Sequence, residues 1–198
     1  MKTFTIGKKK IVLKEEWMVG FITTWIVGLL AHAYRFFNFL PIWDSIYNFT
    51  GVGSTYTLGR WFLGYAGLIT SMFDLPWVNG AFSLFYISIV VILLTEMFEI
   101  KNKGMIVLCA AIFVSFPTVV SSFAYMYTAD AYLLAFLLAT LAVYLTWCVK
   151  KWGTIAGMVC LAFAMGIYQA YATVAIVLVL LYIFRQVVIE NRDFLDAG

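Results

Sequence analysis

From residue 153 to residue 184 the chain runs 32 residues without one charged side chain. As a single helix that run would be about 48 Å long at the usual rise per residue. A bilayer core is about 30 Å thick and takes about 20 apolar residues to cross. One crossing is therefore too short for it, and two short spans turning near residues 166–171 fit better. The same apolar character recurs at 17–34, 77–98, 105–123 and 128–149. These six segments predict an all-α, polytopic membrane helix bundle of about six transmembrane helices. They are taken as one domain covering residues 1–198, with a head at 1–16 and the last two spans at 153–167 and 168–184. The polar tail at 190–198 stops abruptly, as a loop does when further spans follow, so a fragment of a longer protein is one expectation.

Charge supports this reading and orients it. Only 12% of residues are charged, about half the share of an average soluble domain. Mean hydropathy is +0.96. An ordinary soluble domain, a disordered chain and a nucleic-acid binder are all excluded, and the partner demanded is a lipid bilayer. With the N-terminus in the cytoplasm and six spans, 11 of the 13 basic residues fall inside, leaving only Arg35 and Arg60 outside. That asymmetry is the one membrane insertion favours. It predicts a multi-pass membrane protein with its N-terminus in the cytoplasm. Cys109, Cys148 and Cys160 lack paired spacing, and His32 is the lone histidine. Neither a disulfide framework nor a zinc site is indicated.

The long outer loop at 35–76 is the exception to otherwise short connections, and loops of that length are commonly functional. Apolar residues at 36, 39, 40, 43, 46 and 47 follow helical spacing and predict a short interfacial helix. A second apolar stretch at 59–73, containing Gly64, Ala66 and Gly67, reads as a re-entrant or interfacial helix. Gly51-Val-Gly53 lacks the third glycine and the lysine of a phosphate loop, so it reads as a turn.

Within this loop a carboxylate amid aromatics, Asp44, is either a surface charge or a base poised by opposing effects: desolvation raises a carboxyl pKa and a nearby arginine lowers it. Asp74 reads as a turn residue or the N-cap of the second span. Arg60, followed by Trp61, either anchors an interfacial helix or grips a phosphate through its forked donors. Arg35 reads first as a headgroup anchor. Asp130 opens the fourth span on the same side, where dipole compensation is its plain reading. Tyr168 and Gln169 sit in the turn of the last span pair. His32 reads as a structural hydrogen-bonding group. Metal sites are not predicted; a divalent ion shared by Asp44 and Asp130 would require the fold to bring the two together.

Four motifs carry a resemblance: Pro41-Ile-Trp-Asp-Ser45, Gly59-Arg-Trp61, Tyr127-Thr-Ala-Asp130 and Gly166-Ile-Tyr-Gln-Ala170. Together, across residues 17–184, they resemble the type-two, serotype-converting O-antigen glucosyltransferases of the all-membrane C-type glycosyltransferase superfamily. The resemblance implies transfer of glucose from a polyprenyl-phosphate sugar donor to a cell-surface glycan acceptor, an O-antigen or wall polymer, at the outer face of the membrane. It implies catalytic roles for Asp44 and Asp130, donor-phosphate contacts from Arg60 and Arg35, and a site lined by Trp61, Tyr168 and Gln169. It also implies a longer chain than this one. A lipid-intermediate flippase or transporter subunit and a non-catalytic membrane scaffold are the alternative readings.

Overall fold

The computed structural model describes residues 2–6, 9–47, 56–70, 73–149 and 151–189. Two subjects of the sequence reading lie outside those residues: the Gly51-Val-Gly53 turn and the tail at 190–198. The described body is a helical bundle, as its composition demands. Ahead of it the basic head adds an antiparallel pair, β1 (Lys2–Ile6) and β2 (Lys9–Leu13).

The bundle begins with α1 (Glu15–Phe37). A five-residue α2 (Trp43–Tyr47) and a four-residue α3 (Leu63–Ala66) occupy the loop, and α4 (Pro76–Met97) follows. The chain continues as α5 (Lys103–Ser115), α6 (Pro117–Ser122), α7 (Met126–Cys148), α8 (Gly153–Ile167) and α9 (Ala172–Phe184). Among the described residues four helical runs are long and apolar enough to cross a membrane: Glu15–Phe37, Pro76–Met97, Lys103–Cys148 and Gln169–Val188; Gly153–Ile167 is apolar but shorter.

Proline and local backbone explain where the helices stop. The expected single span at 105–123 is interrupted, because Phe116 adopts extended backbone (φ −64°, ψ 140°) ahead of Pro117. A proline ring crowds the preceding residue out of helical geometry. The run Lys103–Cys148 therefore folds back as two arms, α5 and α7. Likewise the helical spacing over 36–47 is divided: α1 carries Phe36 and Phe37, then the chain passes Pro41 before α2 starts. The stretch at 59–73 yields only α3 and a 3-10 turn at Gly67–Ile69. The last apolar run turns at Tyr168, with a 3-10 turn Gln169–Tyr171 leading into α9.

Helix α7 is the hub, packing on α4, α8 and α9, while α1 packs on α4 and α5. The main core gathers Phe36, Leu84, Ile87, Val90, Val114, Phe123 and Leu133 from α1, α4, α5, the turn at Phe123–Tyr125 and α7. In lipid such packing rests on close contact and internal hydrogen bonds rather than on escape from water. Buried hydroxyls accordingly bond the carbonyl one turn back: Thr24 to Gly20, Ser88 to Leu84, Thr95 to Val91 and Thr140 to Phe136. At the end of the bundle opposite the loop, ion pairs Lys14–Glu96, Lys103–Glu15 and Arg185–Glu99 join α1 to α4, α5 to α1 and α9 to the end of α4.

Helices α7 and α8 meet backbone to backbone at Gly157, where a Cβ would lie 2.7 Å from the Ala142 carbonyl oxygen and 2.5 Å from Thr146 Oγ1. Overpacking of this kind costs about 1–3 kcal/mol. Gly157→Ala should lower the thermal unfolding midpoint of the detergent-solubilised protein. Gly64→Ala, where a Cβ meets nothing within 4 Å, should leave it unchanged.

Candidate functional site

Gly59, the first residue of the Gly-Arg-Trp motif, sits at φ +74°. That left-handed backbone is one glycine adopts without strain. The turn it makes aims Arg60 and Trp61 at the corner between α8 and α9. There the Phe62 amide donates to the Gly166 carbonyl (2.8 Å), and Gln169 Nε2 donates back to the Leu58 carbonyl (2.8 Å). The indole of Trp61 lies flat over Gly166, so close that a Cβ there would stand 2.5 Å from Cε2. Trp61 and Phe62 also pack on Phe163 of α8. Two motifs more than a hundred residues apart in sequence thus form one interlocked surface.

Arg60 is left facing a cavity. Its guanidinium lies 4.4 Å from the ring centroid of Tyr168, a cation–π arrangement. Tyr168 stacks in turn on Tyr132 of α7 (5.4 Å) and meets Tyr171 edge-on (6.1 Å). Among the described residues Arg60 forms no ion pair. The cavity measures about 540 Å³. Asp44 from α2 lies on its rim with Arg60, Tyr132, Tyr168 and Tyr171, and the hydroxyls of Thr118, Ser121, Ser122, Tyr125, Tyr127 and Thr173 line the remainder. Asp44 is exposed, so its carboxylate keeps contact with solvent. One cation, one carboxylate and an aromatic and hydroxyl wall suit a ligand carrying an anionic group and a sugar: planar rings stack on sugar faces and hydroxyls exchange hydrogen bonds with them.

This polar chamber adjoins apolar space. A groove of about 590 Å³ between α5 and α9, floored by α7, shares Thr118, Ser122, Tyr171 and Val174 with it. The groove continues past Phe113, Phe136 and Leu94 to Phe98 and Ile100 at the far end of α4. A further apolar pocket of about 390 Å³ extends it along Val177, Leu178 and Leu181 of α9.

The other residues singled out from sequence lie elsewhere. Arg35 donates from Nε to the Phe123 carbonyl (2.8 Å), from Nη2 to the Ala124 carbonyl (3.0 Å) and from Nη1 to the Leu40 carbonyl, outside the cavity lining. Asp130 is 1% exposed within α7. It accepts hydrogen bonds from Thr70 Oγ1 (3.0 Å) and Asn79 Nδ2 (3.2 Å). It does not line the cavity either, so Asp44 and Asp130 face different surroundings. No group of three or more His, Cys, Asp or Glu side chains suited to a metal occurs among the described residues. Trp61 and Gln169 support the corner rather than the cavity wall. His32, only 5% exposed, bonds through Nε2 to the Val114 carbonyl (2.9 Å) and packs on Phe123. Sequence reasoning missed Asn79 and the cavity role of Tyr132 and Tyr171. An asparagine inside an apolar span is the signal that points to the first; the tyrosines give none, since aromatic residues fill every span here.

Asp74 does not cap α4; Leu75 holds that position, with its amide bonded to Asn79 Oδ1. Both Asp74 carboxylate oxygens are shielded and unpartnered among the described residues. Burial pushes its pKa above the usual 3.8, partly opposed by the charge of Arg35. The folded state therefore holds this proton more tightly than the unfolded chain, so its stabilising effect is complete below 3.8 and declines as pH rises through the raised pKa. Asp74→Asn should remove that decline, read as unfolding midpoints compared at about pH 4 and about pH 7. Gly166→Ala, by displacing the Trp61 indole, should speed hydrogen exchange at the Phe62 amide.

No curated protein and no solved structure matches the chain. The family of glucosyl transferase GtrII matches residues 33–196, a range that holds α2, the Gly59–Trp61 turn and every residue lining the cavity. The chain belongs to the glucosyl transferase GtrII family.

Proposed function

We propose that this chain transfers glucose from a polyprenyl-phosphate donor to a cell-surface glycan, an O-antigen or wall polymer, at the outer face of a bacterial plasma membrane. The observation that carries the reading is the adjacency of the Arg60 chamber and the apolar groove between α5 and α9, which share Thr118, Ser122, Tyr171 and Val174 as lining. A polyprenyl-phosphate sugar is anionic and sugar-bearing at one end and purely hydrocarbon along the rest, and the adjacent cavities offer those two environments side by side. The family supplies the glucosyl chemistry. The distribution of basic residues supports a cytoplasmic N-terminus, which puts the loop end outside.

In this mechanism the donor phosphate pairs with the Arg60 guanidinium, whose planar fork matches phosphate oxygens. The sugar lies against Tyr168 and Tyr132 among the hydroxyls of Ser121, Ser122 and Tyr125. Asp44 takes the proton of an acceptor hydroxyl as that oxygen bonds to the anomeric carbon. The bond from that carbon to the phosphate oxygen breaks, and polyprenyl phosphate leaves with the electron pair. Arg60 stabilises the charge gathering on it. A single displacement of this kind inverts the anomeric configuration. The exposed Phe37, Phe39, Trp43 and Ile46 around α2 suit anchoring at the membrane surface, which would hold Asp44 level with a lipid-borne sugar.

Purified protein with polyprenyl-phosphate glucose and a glycan acceptor should transfer glucose. Asp44→Asn keeps the size and removes the base, and should slow transfer by about 10²–10⁴-fold while leaving donor binding intact. Arg60→Ala should weaken donor binding by about 10–100-fold, the worth of a charge-assisted hydrogen bond, with Arg60→Lys restoring only part of it. Full transfer by Asp44→Asn would remove the assignment.

A further inference from the structure

We infer that Asp130 is a positioning residue: its buried carboxylate clasps the end of the loop that presents Arg60, and takes no part in the proton transfer. The inference rests on the Arg60 chamber being the donor site. Thr70 caps the 3-10 turn Gly67–Ile69, in the same loop as Gly59, Arg60 and Trp61, and its Oγ1 donates to Asp130 Oδ2 at 3.0 Å. Asn79, fully buried in the first turn of α4, donates Nδ2 to Asp130 Oδ1 at 3.2 Å, while its own Oδ1 accepts from the Leu75 amide at 3.0 Å. One carboxylate therefore joins the loop that carries Arg60, the residue that opens α4, and the α7 helix that carries Tyr127 and Tyr132 into the cavity wall.

Arg35 does the corresponding work where the loop begins. Its three bonds to the Leu40, Phe123 and Ala124 carbonyls join the end of α1 to the turn just before α7. The loop is held at both ends to one region of α7, and the Gly166–Gln169 corner holds its middle. A buried carboxylate is costly, and such a group is retained where it fixes register between elements. Asp130 has the geometry for that role. It is 1% exposed, with Oδ1 and Oδ2 each holding one donor, and it lies outside the lining of the chamber.

An asparagine at 130 would preserve the clasp. Its oxygen accepts from Asn79, and its amide donates to Thr70 Oγ1, whose own proton can turn to the Gly67 carbonyl that it already approaches at 3.4 Å. An alanine would not. In the full chain, Asp130→Ala should speed amide hydrogen exchange at residues 58–63 and raise the donor KM at least tenfold, with kcat changed less than threefold. Asp130→Asn should restore both readings to near wild type. Thr70→Val, which removes one arm of the clasp and keeps the shape, should speed the same exchange, and Thr70→Ser should rescue it; this pair carries the test if Asp130→Ala fails to fold. An Asp130→Asn protein with intact exchange protection and a kcat lost as deeply as in Asp44→Asn would overturn the inference, and so would unchanged exchange in both Asp130→Ala and Thr70→Val. Hydrogen exchange needs no substrate. Faster exchange in the variants beside a wild-type chain that transfers no glucose would leave the clasp standing and remove the donor-site reading instead.

Discussion

The contact between the Gly59–Trp61 turn and the Gly166–Gln169 corner is the constraint from which the site follows. Two hydrogen bonds, Phe62 to Gly166 and Gln169 to Leu58, cross it in opposite directions. Two glycines make it possible, one by its left-handed backbone and one by leaving room for an indole. The same corner sets Tyr168 beneath the Arg60 guanidinium. Without that docking the arginine would belong to a surface loop and the tyrosines to an ordinary helix turn. With it, a cation and a carboxylate share one chamber with an aromatic wall.

The membrane environment explains why so few polar groups suffice. Hydrocarbon offers no partner to an unsatisfied hydroxyl or carbonyl; Thr24, Ser88, Thr95 and Thr140 meet that demand with the carbonyl one turn back, while Ser83 Oγ and Trp25 Nε1 are buried without a hydrogen-bond partner among the described residues. Charged groups settle at the two ends. At one end they pair with each other across α1, α4, α5 and α9. At the other, Arg35 is consumed by backbone carbonyls and Asp130 by Thr70 and Asn79, leaving Arg60 for the cavity. The division of labour is visible in the bonding: Arg35 and Asp130 hold the loop, while Arg60 and Asp44 line the cavity.

Much of this could be read from residue order alone, and the exceptions have physical causes. Apolar runs bounded by charge marked the helices, and the break in the last run fell at Tyr168, within the 166–171 turn that a run too long for one crossing calls for. The division of the run at 105–123 followed from Pro117, whose effect on Phe116 is local and predictable. Gly59-Arg-Trp61 and Gly166-Ile-Tyr-Gln-Ala170 stood out as motifs, yet nothing in their spacing said that they touch; only the antiparallel path of α7, α8 and α9 brings them together. Asp130 looked like Asp44 from sequence, two acids near the same membrane face. Burial and bonding separate them, and neither is a property of the residue type. Asn79 was visible as a polar residue within an apolar span, but its partners come from fifty residues further on and from the loop behind it.

As proposed above, the Arg60 chamber and the groove between α5 and α9 form one seat for a polyprenyl phosphate. A cryo-electron microscopy map of the protein with polyprenyl phosphate bound tests it most directly. The account predicts phosphate density in contact with the Arg60 guanidinium and Tyr168, continuous with a hydrocarbon tail running past Phe113 and Val174. Phosphate density at the opposite end of the bundle, among Lys14, Lys103 and Arg185, with the chamber empty, would contradict it.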